Sequence, residues 1–343
     1  MLKPCVRLLL LGLFVFTACG DDGLGAVDAA RDAPALDEGA VDEALPDAAR
    51  DEALDAADAS PADEGAELAL DEGVDASDDA APDDAAPESR CESSESQIVC
   101  PRMTRQIRDG VTALTNRDVH YQVPLGEAPP EGWPVVLIFQ GSLFTAGLNW
   151  IGIRPGPFGA YYQAETLKRL LDAGYAVITP EARFEGATFW DTNVPPFSVA
   201  WETSGDHRLM ERIFEAIENG DFGPLNADRM FATGISSGGY MTSRMAVSYP
   251  GRFTALAIHS AAYANCSGAL CVVPNDLPSD HPPTLFLHGE DDLVVPAFTM
   301  ERYRDALVEQ GFTTDAVLDP DAAHEWIEAA PASILRWFDA YRD

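Results

Sequence analysis

A serine flanked by glycines at the end of an apolar run constrains this chain more than any other feature. Ser236 stands in a Gly-Ile-Ser-Ser-Gly segment, 234–238, between an apolar run at 229–233 and a helical pattern at 240–249. The pattern predicts a sharp turn from strand to helix that exposes the serine on a strained backbone. Glycine is needed at both ends of the segment, because a side chain there would collide with neighbouring backbone. The motif alone is weak evidence of chemistry, since any turn rich in Gly and Ser can produce it.

A candidate catalytic set is completed by an aspartate and a histidine that come much later in the chain than Ser236. Asp292 follows the strand-like run 284–287, and His324 follows the strand-like run 315–318. Because the carboxyl ends of parallel strands meet at one edge of a sheet, we expect the three side chains to converge there. In the expected chemistry His324 takes the proton of the Ser236 hydroxyl while Asp292 orients the imidazole. This turns a weak nucleophile into one that can accept an acyl group.

The acid and the base each have an alternative. Asp291 stands beside Asp292 in the same loop and remains a second candidate for the acid. For His324 the alternative is a surface or helix-capping role. The remaining histidines lie outside the expected last loop or within strands and are predicted to be structural: His120, His207, His259, His281 and His288.

Strand and helix patterns alternate from about residue 101 to the carboxyl end. Strands are predicted at 119–123, 134–139, 175–179, 231–234, 254–258, 285–288 and 316–318. Helices are predicted at 161–172, 205–218, 240–249, 299–310 and 333–341. Continuous apolar strands between helices indicate a mainly parallel sheet covered by helices on both faces. With the chain order Ser, Asp, His, this predicts an α/β-hydrolase fold over residues 91–343, without a large lid.

An acyl-transfer site also needs hydrogen-bond donors for the oxyanion that develops during attack. We expect one donor to be the backbone N–H of Ser237, the residue after the nucleophile. The second is expected from the loop after the strand 134–139, where we favour Ser142 and leave Gly141 and Leu143 as alternatives.

Several aromatic residues fall in predicted loops, in greater number than loops require. They are Phe144, Trp150, Phe158, Phe184, Phe189, Trp190, Phe197, Trp201 and Trp326. Each has a packing role as its alternative reading. As a set they could line an apolar acyl pocket or grip an insoluble polymer. The substrate-binding candidates are Phe144, Trp190, Trp201 and Trp326.

The amino-terminal residues 1–18 have the pattern of a signal peptide. Lys3 and Arg7 precede an apolar run at 8–16, which is too short to span a bilayer as a stable anchor. Cys19 follows Thr-Ala, and this resembles the lipidation site of bacterial lipoproteins. We therefore expect an exported protein held at a membrane by lipid on Cys19, with simple secretion as the alternative.

Residues 19–90 form a predicted disordered linker. The stretch 20–90 carries 24 acidic and 3 basic residues and no aromatic residue, and it supplies much of the chain's net charge of −35. Such a composition cannot bury enough surface to offset the entropy of ordering. The alternative is a cation-binding or partner-binding tail. This charge argues against nucleic acid as a partner, and no obligate protein partner is evident.

Cysteine usage agrees with export. Apart from Cys19 and a cysteine inside the signal, four cysteines remain, and their proximity in sequence predicts the disulfides Cys91–Cys100 and Cys266–Cys271. Zinc is the competing reading of four cysteines. Neither pair has the Cys-x2-Cys spacing of zinc sites, so no metal is expected.

Several segments together resemble the extracellular medium-chain-length polyhydroxyalkanoate depolymerases. The matching segments are Gly-Ile-Ser-Ser-Gly-Gly-Tyr at 234–240, Thr-Ser-Arg-Met-Ala-Val at 242–247, Cys-Ser-Gly at 266–268, Leu-Cys-Val-Val-Pro at 270–274, Asp-His-Pro-Pro-Thr-Leu-Phe-Leu-His-Gly at 280–289 and His-Glu-Trp at 324–326. The resemblance covers about residues 100–343. It implies the triad Ser236, Asp292 and His324, hydrolysis of bacterial storage polyesters through an acyl-enzyme, and no cofactor. Family members are usually secreted free, so a lipid anchor and an acidic tether would be a departure.

Three functions are compatible with these residues. The first is an exported serine esterase that acts on aliphatic polyester. The second is a carbohydrate-ester hydrolase, such as an acetyl xylan or feruloyl esterase, or a general carboxylesterase. The third is a non-catalytic surface binding module, against which the intact Ser, Asp and His argue.

Overall fold

The computed structural model describes residues 88–110, 115–183, 189–266 and 271–343. The predicted signal, Cys19 and all but the last three residues of the predicted linker lie outside these ranges. Within them, no helix is both long enough and apolar enough to cross a membrane.

Eleven strands and five α-helices are found in the described residues. The strands are β1 (Glu92–Ser93), β2 (Gln97–Val99), β3 (Met103–Arg108), β4 (Asn116–Gln122), β5 (Trp133–Phe139), β6 (Ile151–Ile153), β7 (Ala176–Pro180), β8 (Leu225–Ile235), β9 (Ala255–His259), β10 (Thr284–Gly289) and β11 (Thr314–Asp319). The helices are α1 (Ala160–Asp172), α2 (Gly205–Glu218), α3 (Ser237–Ser248), α4 (Ala297–Glu309) and α5 (Ala330–Asp339). Each strand and helix predicted from the sequence is present, with ends shifted by a few residues.

Eight strands form the central sheet in the order β11-β10-β9-β8-β5-β7-β4-β3. The strands from β11 to β7 are parallel, and β4 and β3 add an antiparallel edge. A separate three-stranded sheet contains β1, β2 and β6. The predicted α/β-hydrolase architecture is confirmed. The connection between β7 and α2, 181–204, contains two short 3-10 helices in its described part, so no large lid is found there.

The apolar run of β5 serves two layers of the core. Val136 and Ile138 pack in the core under α1 and α5, whereas Val135, Leu137 and Phe139 pack in the core under α2 and α3. Because side chains of a strand alternate between faces, a continuous apolar run is required of a strand that is covered on both sides. A third core lies between α4 and the strands β9 to β11.

Three short strands and β3 escaped the sequence analysis. In β3 all residues except Ile107 are exposed, so its sequence has no apolar run. It lies at the edge of the sheet and pairs only with β4. Edge strands with polar side chains are typical of proteins that avoid pairing with other molecules.

The packing of α5 generates a test of this architecture. The Phe338 ring is fully buried and its centroid lies 4.9 Å from that of Phe231 on β8. Phe338→Ala should lower the free energy of unfolding by about 3–5 kcal/mol, because it leaves a cavity in the core. Urea unfolding measures the change. The control Val308→Ala, at a side chain that is 59% exposed on α4, should change the free energy of unfolding by less than about 0.5 kcal/mol. A similar small change for both variants would contradict the packing.

Candidate active site

Ser236 occupies the predicted sharp turn between β8 and α3. Its backbone has φ 56° and ψ −123°, a conformation that is strained for any residue with a side chain. Its N–H donates to the carbonyl of His259 over 3.1 Å, and its carbonyl accepts from the N–H of Tyr240 over 2.9 Å. These bonds fix the strained residue between the end of β9 and the first turn of α3.

The glycines around Ser236 permit a close backbone contact. A Cβ on Gly238 would lie 2.1 Å from the carbonyl oxygen of Phe139, and a Cβ on Gly234 would lie 2.6 Å from that same oxygen. No side chain fits at such distances. The turn is therefore packed directly against the end of β5, as the motif predicted.

Asp292 is the acid that contacts His324. Its Oδ2 lies 2.7 Å from His324 Nδ1, and its Oδ1 accepts the backbone N–H groups of Val294 and Val295 over 2.9 and 2.7 Å. Asp292 is buried. Asp291 is exposed, and its backbone N–H donates to the carbonyl of Ala322. The structure thus places the favoured candidate, and not Asp291, against the imidazole.

His288 also reaches the acid, which the sequence analysis did not foresee. It is fully buried on β10, and its Nε2 lies 2.8 Å from the carbonyl oxygen of Val295 and 3.3 Å from Asp292 Oδ2. Both neighbours are acceptors, so the proton is on Nε2. The only signal in the sequence was the position of His288 four residues before the acid.

The carboxylate of Asp292 is held in its ionised form. Burial by itself would raise its pKa, but hydrogen bonds from His288, His324 and the Val295 N–H outweigh burial and hold the pKa well below the usual range of an aspartate. The ionised Asp292 accepts a hydrogen bond from the Nδ1–H of His324, which keeps the proton on Nδ1 and leaves Nε2 of the imidazole free to act as a base.

His324 follows β11 in a loop that packs on the acid loop. A Cβ on Gly289 would lie 2.3 Å from the carbonyl oxygen of Ala322, so glycine is required for this contact as well. Ser236, Asp292 and His324 therefore follow β8, β10 and β11 at the carboxyl edge of the sheet. The sequence predicted this placement at one sheet edge, and the catalytic roles of the three side chains remain predictions.

The proposed oxyanion loop runs beside the nucleophile. A Cβ on Gly141 would lie 3.7 Å from Cβ of Ser236. The N–H of Phe144 donates to the carbonyl of Gly141 over 3.4 Å, and Leu143 has φ 69°. A positive φ at the third position of a four-residue turn is the geometry of a type II turn, which costs energy for leucine.

Gln140 holds that loop, a second role that the sequence analysis missed. Its Nε2 donates to the carbonyl of Phe144 and to Glu181 Oε1, each over 2.7 Å. Glu181 Oε2 in turn accepts the N–H of Ala146 over 2.7 Å. Both side chains are buried. The signal available in the sequence was a polar residue directly after the apolar strand β5.

Comparison with known proteins shows the family of this chain. The sequence model of the dienelactone hydrolase family matches residues 125–340. The chain is 49% identical over 247 residues to a poly(3-hydroxyoctanoate) depolymerase of Pseudomonas fluorescens, a match that covers 72% of this chain and 87% of the relative. The chain belongs to the dienelactone hydrolase family. It is accordingly a hydrolase that acts on esters.

A solved structure shares the fold of this dienelactone hydrolase family member. A truncated carbohydrate esterase from gut microbiota is 15% identical, with 71% of this chain and 97% of that chain covered and a TM-score of 0.52. An α/β hydrolase enzyme from a Medee basin deep-sea metagenome library, MGS-M1, is 14% identical over 71% of this chain and 98% of that chain, with a TM-score of 0.49. Because its sequence identity is only 15%, the carbohydrate esterase is evidence for the fold of this chain and for nothing further.

The expectation that three tryptophans of this family member contact substrate is wrong in this structure. Trp190, Trp201 and Trp326 are buried, and only Phe144 of the four candidates is partly exposed. Trp190 instead joins the turn to β5: its backbone N–H donates to Ser237 Oγ over 2.8 Å and its Nε1–H to the carbonyl of Gln140 over 3.1 Å. The packing role, which the sequence analysis left as the alternative, is the one that these three rings have, because they fill the space beneath the loops.

The other aromatic residues of the predicted loops also differ in how far they are buried. Trp150 is buried, Phe189 and Phe197 are half-buried, and Phe158 is exposed. Phe184 lies outside the described residues.

Ser237, the expected first oxyanion donor, begins α3 and is buried. Ser142, the favoured second donor, is half-buried in the loop after β5. The donor roles of both remain predictions.

Both predicted disulfides are present, Cys91–Cys100 and Cys266–Cys271. In the described part of the chain, no group of three or more His, Cys, Asp or Glu side chains is arranged to hold a metal ion.

A buried ion-pair network supports the segment that carries Trp190. Arg117 pairs with Asp109 and Asp206, Asp206 accepts the backbone N–H of Asp191 over 2.6 Å, and Arg183 pairs with Asp191 over 2.7 Å. Burial and the nearby Asp206 carboxylate raise the pKa of Asp191 to about 6. The sequence offered no signal for this network, because Arg117 and Asp206, which connect its parts, are 89 positions apart along the chain.

The low pKa of Asp292 predicts a pH dependence of stability. Its ionised form stabilises the fold fully above the unfolded-state pKa of about 4, and this stabilisation is lost as the pH falls towards the lower folded-state pKa. The free energy of unfolding of Asp292→Asn should therefore fall less steeply than that of the wild type between about pH 5 and pH 2. Urea unfolding at each pH measures this.

Asp291→Asn is the matched control, since it removes the same charge from an exposed neighbour. Its pH dependence should follow the wild type. Parallel curves for all three proteins would contradict the account of Asp292.

Proposed function

We propose that this ester hydrolase is an exported serine esterase that cleaves aliphatic polyesters, in particular medium-chain-length polyhydroxyalkanoates. The observation that carries the chemistry is the 2.7 Å contact of Asp292 Oδ2 with His324 Nδ1, at the same sheet edge as a strained serine. The observation that supports the substrate is the 49% identity to a poly(3-hydroxyoctanoate) depolymerase.

The reaction begins with proton transfer from Ser236 to His324 Nε2. The serine oxygen attacks the ester carbonyl carbon, and the negative charge that develops on the carbonyl oxygen is held by N–H donors. We assign these donors to the backbone of Ser237 and of Ser142. The imidazolium, stabilised by Asp292, then gives its proton to the departing alcohol oxygen and leaves an acyl-enzyme on Ser236.

The second half of the reaction uses water in place of the serine. His324 removes a proton from water, the resulting hydroxide attacks the acyl carbon, and the bond to the serine oxygen breaks. The proton returns to Ser236, and a carboxylic acid is released. Each turnover thus consumes one water molecule and converts one ester into one alcohol and one acid. No cofactor enters any step.

An apolar rim around the site fits a polyester. We define this rim as Leu143, Phe158, Leu293 and Val294. Leu143 belongs to the proposed oxyanion loop and is 73% exposed, and Leu293 and Val294 follow Asp292 and are 93% and 65% exposed. Phe158 is 51% exposed, and its carbonyl accepts the N–H of Trp326 in the His324 loop over 3.0 Å.

Leu143, Leu293 and Val294 lie on loops that carry proposed catalytic groups, and Phe158 is hydrogen-bonded to the His324 loop, so an apolar substrate that covers the rim is brought to the serine. Two N–H bonds to Asp292 hold the backbone after Leu293 in place. Exposed apolar side chains of this kind mark interaction surfaces. A neutral polymer with alkyl side chains is suited to this surface, whereas a hydrated polysaccharide is not.

Export and anchoring are part of the same proposal. The signal pattern at 1–18, Cys19 and the acidic linker support an enzyme that is lipidated on Cys19 and tethered to the cell surface or faces the periplasm. Mass spectrometry of the mature amino terminus tests this, and an unmodified start at another residue would refute the lipid.

The nucleophile is tested by Ser236→Ala. This change should lower kcat on p-nitrophenyl octanoate by about a million-fold, because the three catalytic side chains act as a unit. It should also abolish labelling by a fluorophosphonate probe. As controls, Asp292→Asn should reduce kcat strongly and Asp291→Asn should not. Retained turnover by folded Ser236→Ala would refute the serine mechanism.

The substrate is tested with emulsions of poly(3-hydroxyoctanoate) and with acetylated xylan. Clearing of the polyester is expected; release of acetate from xylan without clearing would move the assignment to a carbohydrate esterase.

The rim is tested by Leu293→Asp. We expect the ratio of polyester hydrolysis to p-nitrophenyl octanoate hydrolysis to fall about 5-fold, because a charge on the rim opposes contact with an apolar solid. Val308→Asp introduces the same charge at an exposed residue of α4 and should leave the ratio at the wild-type value. An unchanged ratio in Leu293→Asp would show that the rim does not bind the polymer.

A further inference from the structure

His259 lies close to the three loops that carry Ser236, Asp292 and His324. It is the last residue of β9, between β8, which leads to Ser236, and β10, which leads to Asp292. In the sheet register it lies beside Ile235 of β8 and Leu287 of β10. Its carbonyl accepts the N–H of Ser236 over 3.1 Å. The backbone of His259 therefore fixes the backbone of the nucleophile.

The side chain of His259 contacts the loop that carries His324. Its Nε2 accepts the backbone N–H of Ile327 over 3.0 Å, three residues after His324. Its ring stacks on that of Trp326, with centroids 4.8 Å apart and planes inclined by 14°. Both His259 and Ile327 are buried, so water cannot replace this hydrogen bond.

The hydrogen bonds define one tautomer of His259. Because Ile327 donates to Nε2, the ring proton is on Nδ1, which lies 3.1 Å from Ser260 Oγ. Ser260 Oγ in turn lies 3.4 Å from the carbonyl oxygen of Glu325, to which it donates. The pair His259 and Ser260 thus contacts the segment 325–327 at two backbone groups.

The surroundings keep the ring neutral. Burial lowers the pKa of His259 well below its ordinary value, and the neighbouring His288 and His324 lower it further, against a smaller opposing effect of Asp292. A neutral ring keeps its acceptor for Ile327 over the working pH range. Protonation of Nε2 would remove that acceptor.

The backbone of Ser260 is a second indication that the end of β9 holds neighbouring loops in fixed positions. It is fully buried and has φ 46°, which is unfavourable for serine. Its N–H donates to the carbonyl of Leu287 on β10 over 2.9 Å. Residues hold such conformations where the surrounding structure fixes them, and these positions cluster at functional sites.

We propose that His259 is a positioning residue, which holds the His324 loop in register with Ser236 by accepting the Ile327 N–H. This inference rests on the proposed serine-esterase function. His259 does not touch the reacting atoms; it sets the distance and angle between the base and the hydroxyl. Small errors in such geometry reduce the rate of the chemical step more than the binding of substrate.

Two variants distinguish the role of Nε2 of His259 from that of Nδ1. In His259→Gln the side-chain oxygen takes the place of Nε2 and can still accept from Ile327. In His259→Asn the amide reaches only the place of Nδ1. We expect His259→Asn to lower kcat on p-nitrophenyl octanoate about 30-fold with KM changed less than about 2-fold. His259→Gln should keep kcat within about 3-fold of the wild type, because it restores the acceptor.

His281→Asn is the matched control. His281 is also buried, but it binds Tyr303 Oη and the Pro282 carbonyl, away from the catalytic loops. It should lower the free energy of unfolding while leaving kcat at the wild-type value. Active-site titration with a fluorophosphonate normalises each kcat to folded enzyme.

Three results would overturn the inference: kcat of His259→Asn within about 3-fold of the wild type, an equal loss in His259→Gln and His259→Asn, or an equal loss in His281→Asn. If His259→Asn does not fold, Ser260→Ala replaces it, with an expected fall of kcat of about 5-fold at unchanged KM; an unchanged kcat would then overturn the inference. A wild-type protein that the probe does not label would instead refute the proposed function.

Discussion

The direct backbone contact between the turn at Ser236 and the end of β5 is the constraint on which the site depends. The carbonyl oxygen of Phe139 occupies the space that a Cβ atom at position 234 or 238 would need, so both positions require glycine. Any larger residue would push the turn away from β5 and from the loop that follows it. Since that loop supplies the proposed oxyanion donor, the same contact sets the position of the nucleophile and of the group that would stabilise its product. The strained φ of Ser236 is the local cost of this arrangement.

Hydrogen bonds between buried polar groups then hold the loops around this contact. Asp292 is kept ionised by His288, His324 and two backbone N–H groups. Gln140 and Glu181 hold the loop after β5. A buried group without a partner is expensive, so a network of this kind has one favourable arrangement and few alternatives. Rigid loops on a parallel sheet are a suitable base for catalysis, because the chemical step tolerates little error in position.

The sequence predicted most of the fold and the placement of Ser236, Asp292 and His324 at one sheet edge, for identifiable reasons. Continuous apolar runs such as that of β5 have few interpretations other than a strand covered on both faces. The spacing of glycines around Ser236 reports a steric requirement that holds in any context. Asp292 and His324 could be placed because each follows a strand and because their order along the chain matches one fold. The edge strand β3 was missed since its exposed polar residues have no periodicity.

What only the tertiary structure decided is which side chains meet. The chain alone left Asp291 and Asp292 as alternatives, and the structure separates them because one carboxylate is buried against His324 while its neighbour faces solvent. The sequence suggests Trp190, Trp201 and Trp326 as substrate-binding residues or as packing residues, and the structure shows them buried, since a loop that packs over the core needs large rings beneath it. The contacts of His259 with Ile327 and Trp326 join residues about 68 positions apart. Local pattern determines strands, helices and turns, whereas partners so distant in sequence are determined by the packing of the whole sheet edge.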